Sequence, residues 1–394
     1  MIREFTFSII KQSCNARVGV LHTPHGNIHT PAFIFCATKA TIKSLDIERV
    51  KELGTQIILS NTYHLMLQPG ETILSKLGGL HKMMGWEGPI LTDSGGYQIF
   101  SLGYGSVSEE IKGIKKNRIT MIKINEQGVI FRSYINGQIY CLTPEKSIQI
   151  QQILGADLIL VLDECTPFNT SKEYTEHSML MSTRWAQRSL NEFEKNDHGT
   201  QALYGIIQGG IYRDLRRISC DFIRSLPFFG QAIGGSLGQN KDQMYSITAF
   251  TMECVQRNRP THLLGIGQIS DIFYGVSIGI DTFDCVYPTR LARHGGALIK
   301  VKNRHSLSSK NRDYINLYNH QFILDNNPIE DDCLCFTCRK HSRAYIHHLL
   351  KAKELLSYSL ITMHNIFFIN HLMHSIRDAI LNDKLNQEKN NWIS

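Results

Sequence analysis

No run in this 394-residue sequence approaches the roughly 18 consecutive apolar residues of a membrane-spanning helix, so no membrane partner is expected. Nor does a secretion signal open it: Met1 to Val20 is interrupted by Arg3, Glu4, Lys11 and Arg17. Pro/Gly/Ser-rich tracts are missing too, and a hydrophobic fraction of 42% is ample for a packed core. G-x-G-x-x-G and P-loop sequences are lacking, which disfavours a nucleotide-phosphate fold. Of 10 cysteines, Cys14, Cys36, Cys141, Cys165, Cys220, Cys254 and Cys285 are scattered, while Cys333, Cys335 and Cys338 crowd together. That distribution fits a reducing, cytoplasmic setting with thiols free or on metal. The 42 Lys+Arg against 35 Asp+Glu leave a net charge of +7, which names no partner until its clustering is known.

Short apolar runs ending in polar or glycine-bearing tips are plentiful: 31–38, 55–62, 89–96, 156–164, 202–210, 230–236, 262–267 and 279–286. Continuous apolar runs suit strands buried on both faces of a parallel sheet. Between them, 143–155 reads as a helix with a Thr cap, an early Pro and a closing Gly, and 179–193 and 213–226 show helical spacing. The pattern predicts an irregular (β/α)8 TIM barrel with its active site at the C-terminal strand ends. A hairpin is expected over 5–30 and a strand excursion over 118–142, where Asn136-Gly137 signals a turn. The composition shifts at 325, so the expected division is a catalytic barrel over 1–324 and an appended zinc-binding helical subdomain over 325–394. Its last amphipathic helix is expected after His364, through Ile369, Leu372, Met373, Ile376 and Ile380.

Cys333-x-Cys335-x-x-Cys338 sets three thiolates at tetrahedral-metal spacing, with His341, His347, His348 or His364 to complete a structural Cys3His zinc site. Asp93, Asp163, Asp281 and Asp284 lie at strand tips. Any one alone would read as a turn cap, but several acids in one mouth can divide labour as nucleophile and acid/base. Gln208 could accept hydrogens from a bound base, Tyr97 could stack on a planar ring, and Gly95-Gly96, Gly209-Gly210 and Gly234-Gly235 permit close backbone approach. Positive charge gathers at Arg290, Arg293, Lys300, Lys302, Arg304, Lys310 and Arg312, and again at Arg339, Lys340, Arg343, Lys351 and Lys353, a pattern suited to RNA phosphates.

Together TDSGGYQ (92–98), LDECTP (162–167), IIQGG (206–210), GIDTFDCVYPTR (279–290), CLCFTC (333–338) and SRAYIHHL (342–349) resemble the bacterial form of the tRNA-guanine transglycosylase family, from about Phe7 to about residue 385. The resemblance implies an irregular barrel with a zinc subdomain, usually a homodimer, exchanging guanine at the wobble position of G-U-N anticodon tRNAs for a 7-deazaguanine base. It implies Asp284 as nucleophile, Asp93 as general acid/base and Tyr97 as the stacking aromatic. It further implies Asp163, Gln208 and Gly235 as base-recognition groups, Arg290 and Arg293 as anticodon-loop contacts, and Cys333, Cys335, Cys338 and His364 as zinc ligands. Asp281 is expected to cap or orient its loop. Some departures touch the base pocket: GGSLGQ (234–239) is shortened and lacks the family's Glu, Leu264 replaces a pocket-lining Met, and Gln268 a Lys. Segments 103–120 and 294–332 are longer than usual. Cys165 fits the aminomethyl-deazaguanine precursor, while the altered loop could admit queuine. A non-catalytic RNA-binding paralogue would have lost carboxylates that remain here, and a metal-dependent barrel hydrolase or deaminase would need a His-x-His strand tip, which is absent.

Overall fold

A computed structural model describes residues 5–99, 122–235, 237–300 and 312–393. All eight apolar runs form strands: β4 (Ala32–Cys36), β5 (Ile58–Asn61), β6 (Ile90–Asp93), β10 (Leu158–Leu160), β11 (Ala202–Ile207), β12 (Gly230–Ile233), β13 (Thr261–Leu263) and β14 (Thr282–Cys285). They pair in parallel in that order, and β14 returns to β4 to close the barrel. Most of their residues are buried, because the interior side chains fill the barrel while the outer face meets a helical ring.

Local chemistry sets the helix ends. Thr143 Oγ1 accepts the Lys146 backbone N–H at 3.1 Å, Pro144 supplies the first turn, and Gly155 closes the helix Pro144–Leu154 at φ 70°. The helix expected over 179–193 runs from Lys172 to Lys195, with Ser171 capping the Tyr174 N–H. Its opening turns are polar, which hid them from apolar periodicity.

Two regions differ in detail from the sequence expectation, and the strands expected within 118–142 are present. The segment 5–30 is not a single hairpin but a three-stranded antiparallel sheet, β1 (Thr6–Ser13), β2 (Ala16–Thr23) and β3 (Gly26–Thr30), because two tight turns fall within it. Between β6 and β10, β7 (Ile122–Asn125), β8 (Gly128–Arg132) and β9 (Ile139–Leu142) form a second such sheet. Gly137 takes φ 75° in its Asn-Gly turn, and Phe131 packs at 5.1 Å on Tyr63 beyond the tip of β5. Residues 118–121 of that excursion, all of 103–120, and Lys302, Arg304 and Lys310 lie outside the described residues. Lastly, the helix expected after His364 begins at Leu356, runs to Leu381 and contains His364. Its first half is buried nearly all round, so no polar face marked its start.

That helix joins two apolar clusters. Ile366, Ile369, Leu372 and Ile376 belong to the barrel's core. Leu360, Ile361 and Met363 belong to a smaller cluster with Cys335, Cys338, Ile346 and Leu350, which also draws in Ala292, Ala297 and Ile299. The cysteine cluster is thereby tied to the segment that follows β14.

Candidate active site

Asp93 ends β6, and its carboxylate is held on several sides. Oδ2 accepts from the Asn61 side-chain amide and, at 3.2 Å, from Gln98 Nε2; Oδ1 accepts the Thr62 backbone N–H at 3.1 Å. Burial nonetheless dominates and pushes its pKa up to about 7; the Thr62 bond opposes that rise and the nearby Asp284 charge adds to it. A carboxyl poised near neutrality can both give and take a proton at physiological pH.

Asp284 lies on β14, its side chain 13% exposed. Gly265 donates its backbone N–H to Oδ1 at 2.8 Å, and His262 Nε2 lies 3.2 Å from the same oxygen. Oδ2 faces the Cys36 thiol at 3.9 Å. Both acids are part-exposed and hydrogen-bonded, and burial brings Asp93 toward neutrality.

Asp281, by contrast, is fully buried at the opposite end of β14. Arg17 Nε donates to its Oδ1 at 2.8 Å, and the Thr261 N–H to Oδ2 at 2.7 Å. This buried pair clips β14 to β2, which is an anchoring task remote from the mouth.

Asp163 follows β10 and accepts from Gln208 Nε2 at 2.5 Å. Burial raises its pKa to about 6, while the Gln208 bond pulls the other way. Gly235 follows β12 at φ 79°, and a Cβ there would collide with Gln208 Oε1. A Cβ on Gly96 would strike the Asp163 carbonyl. Leu264 stands beside Gly234, and Tyr97 is 45% exposed beyond β6. Acceptors, an amide and bare backbone thus wall one recess of the mouth.

Arg290 and Arg293 sit on the helix Tyr287–Arg293 that follows β14. Arg290 is exposed, and Arg293 NH1 donates to the Thr289 carbonyl at 2.8 Å. Lys39 and Lys43, after the neighbouring β4, join them: Lys43 is held below its usual pKa by burial, then by Arg293, Lys39 and Arg290. These lysines carry no sequence motif; only the closure of β14 onto β4 brings them beside the arginines. His262, Asn61 and Gln98 were likewise invisible in sequence, the first because it sits in an apolar strand run.

The cysteine cluster is complete with His364. Its Nδ1 lies 3.7 Å from Cys333 Sγ, 3.6 Å from Cys335 Sγ and 3.3 Å from Cys338 Sγ. Tetrahedral zinc with ordinary Zn–S and Zn–N bonds requires N···S separations of about 3.5 Å, so the set fits a single ion. His364 Nε2 meets the Leu298 carbonyl at 2.8 Å, which fixes the tautomer that leaves Nδ1 free for a metal. All four residues could hold one metal ion with no open position for water. His341, His347 and His348 are not in the group.

A parallel eight-stranded barrel with burial-raised carboxyls and a basic rim at its C-terminal mouth defines the class: a (β/α)8-barrel enzyme with a metal-ready appendage. The chain belongs to the queuine tRNA-ribosyltransferase family, whose profile matches residues 12–394. It is 45% identical over 390 residues to the queuine tRNA-ribosyltransferase of Roseiflexus sp. (strain RS-1), covering 96% of both chains. The similarly named protein of Protochlamydia amoebophila (strain UWE25) is 44% identical over 383 residues, again 96% of both. That of Pelotomaculum thermopropionicum is 41% identical over 394 residues, covering 100% of this chain and 98% of its own.

Proposed function

We propose that this chain exchanges guanine at the wobble position of G-U-N anticodon tRNAs (Asp, Asn, His, Tyr) for a 7-deazaguanine base, by double displacement within queuosine biosynthesis. Family membership supports tRNA guanine exchange as such; the observation that carries the mechanism is Asp93, raised to about 7, beside an accessible Asp284.

In the first half-reaction Asp284 attacks the ribose anomeric carbon as the bond to guanine N9 breaks. The electron pair goes to the base, and Asp93 supplies the proton that lets it leave. In the second, Asp93 takes a proton from the incoming base, whose nitrogen displaces the Asp284 ester. Extruding a base from a single-stranded loop costs little, and an enclosed mouth requires it. Asp163, Gln208, the Gly235 backbone and Leu264 receive the base edge, with Tyr97 stacking on its ring. Arg290, Arg293, Lys39 and Lys43 meet the anticodon-loop phosphates.

Cys333, Cys335, Cys338 and His364 hold one structural zinc ion per subunit, which supplies fold rather than chemistry. The 325–394 module that carries it exposes Leu334 at 72% and Leu355 at 76%, apolar surface consistent with a homodimer contact. No helix among the described residues is long and apolar enough to cross a membrane. Clustered thiols on metal suit the cytoplasm.

The deciding experiment supplies labelled guanine, the aminomethyl-deazaguanine precursor and queuine with a G-U-N tRNA. Incorporation of any of them supports the reading, the preferred base names the substrate, and incorporation of none overturns it.

A further inference from the structure

Within this reading of the reaction, we infer that His262, oriented by Thr282, is a positioning residue that governs which oxygen of Asp284 reacts and how readily Asp284 departs. Resting on that reading, the inference concerns a residue that no family motif singled out.

The strand register creates the arrangement. His262 on β13 lies opposite Thr282 on β14, and Asp284 is two residues further along the same strand face. All three side chains therefore enter the barrel from one wall. His262 is completely buried, and its Nδ1 lies 2.9 Å from Thr282 Oγ1. Its Nε2 comes within 3.2 Å of Asp284 Oδ1 but is not aligned for a hydrogen bond, and it has no other partner. A buried ring nitrogen left unpaired and aimed at a reactive carboxylate costs stability in the resting protein. Such contacts commonly tighten only when substrate is bound.

The tautomer follows from repulsion. Were Nδ1 to carry the proton, the Nε2 lone pair of the fully buried ring would face an Oδ1 lone pair. A Thr282 hydroxyl donating to Nδ1 removes that conflict and places the proton on Nε2, directed at Oδ1. Oδ1 already accepts the Gly265 N–H at 2.8 Å, and His262, 3.2 Å away, becomes its second donor once the bound substrate draws the pair into line. Oδ2, which faces the Cys36 thiol at 3.9 Å, is left to bond the anomeric carbon.

The bond order matters over the full cycle. In the first half, Oδ2 forms its bond to carbon as the pair of the C–N bond leaves on guanine, and Oδ1 becomes the ester carbonyl. In the second half the O–C bond breaks and its pair returns to the carboxylate. A donor on Oδ1 binds the carboxylate more strongly than the ester carbonyl, since bonds to charged acceptors are the stronger kind. His262 therefore favours departure of Asp284 and helps the second half most.

Substituting His262→Leu should lower kcat about 10- to 100-fold, the worth of one hydrogen bond to a charged group, with KM for tRNA changed less than about 3-fold. The fraction of enzyme trapped as a denaturation-resistant tRNA adduct should equal or exceed that of the parent, because adduct breakdown slows. His262→Gln, which retains a donor, should recover part of the rate. Thr282→Val should reproduce the defect in milder form and Thr282→Ser should not, which carries the test if His262→Leu does not fold. Unchanged kcat in His262→Leu or Thr282→Val, or adduct falling in step with kcat, overturns the inference. A parent enzyme that exchanges bases but forms no adduct overturns the covalent reading instead.

Discussion

The cysteine–histidine cluster and the barrel mouth are both built from four or more convergent side chains, yet they are assembled in opposite ways. Three thiolates of the module lie within six residues, Cys333 to Cys338, and a buried helix brings His364 to them. The mouth collects Asp93, Asp163, Gln208, Gly235 and Asp284 from the ends of five different strands. A closed ligand set satisfies itself and stabilises; the strand ends leave a part-exposed Asp284 near an Asp93 raised to about 7, a pairing suited to reaction. Local density favours structure here, and long-range convergence favours chemistry.

The sharpest way to break that contrast is Asp284→Ala. Base exchange should fall by about 10⁴-fold or more, while tRNA binding by filter retention stays within a few-fold; residual exchange near the parent rate would remove Asp284 from its role. Next in size is metal removal. Chelation or Cys335→Ser should abolish stoichiometric zinc and lower the melting temperature, since structural zinc contributes folding free energy directly. A metal-free protein of unchanged stability and activity would show the cluster to be incidental.

A pH profile probes the mouth alone. Asp93, pushed up to about 7, is protonated below that pH and ionised above it, so guanine release should fall about tenfold per pH unit on the alkaline side. Asp163, raised to about 6, loses its charge on the acid side, so base affinity should weaken there. Single-turnover release measured against pH reports the first, and base competition the second. A flat profile from pH 5 to 9 would refute both assignments. The smallest effects belong to the rim: Arg290→Ala or Lys43→Ala should weaken tRNA binding modestly and reduce the salt slope by about 1 each, without altering base choice.

Much of this was legible in the residues. All eight barrel strands were readable because continuous apolar runs ending at polar tips have few alternatives, and Thr143, Pro144 and Gly155 announced a helix by capping chemistry. The cysteine spacing pointed to a ligand set that could hold a metal, and the structure brings His364 to it. Less legible were the start of the helix at Leu356, hidden by all-round burial, and the third strand of the N-terminal sheet.

The sequence by itself determined the element order, the strand tips that bear acids, and three of the four metal-ready ligands, since each depends on neighbours within a few residues. Only the tertiary structure decided that Asp281 anchors β14 to Arg17 while Asp284 faces the mouth. It alone placed Lys39 and Lys43 beside Arg290 and Arg293, and His262 against Asp284. The reason is geometric: barrel closure and strand register join residues far apart in the chain, and the charge state of a carboxyl depends on the partners and solvent that closure gives it.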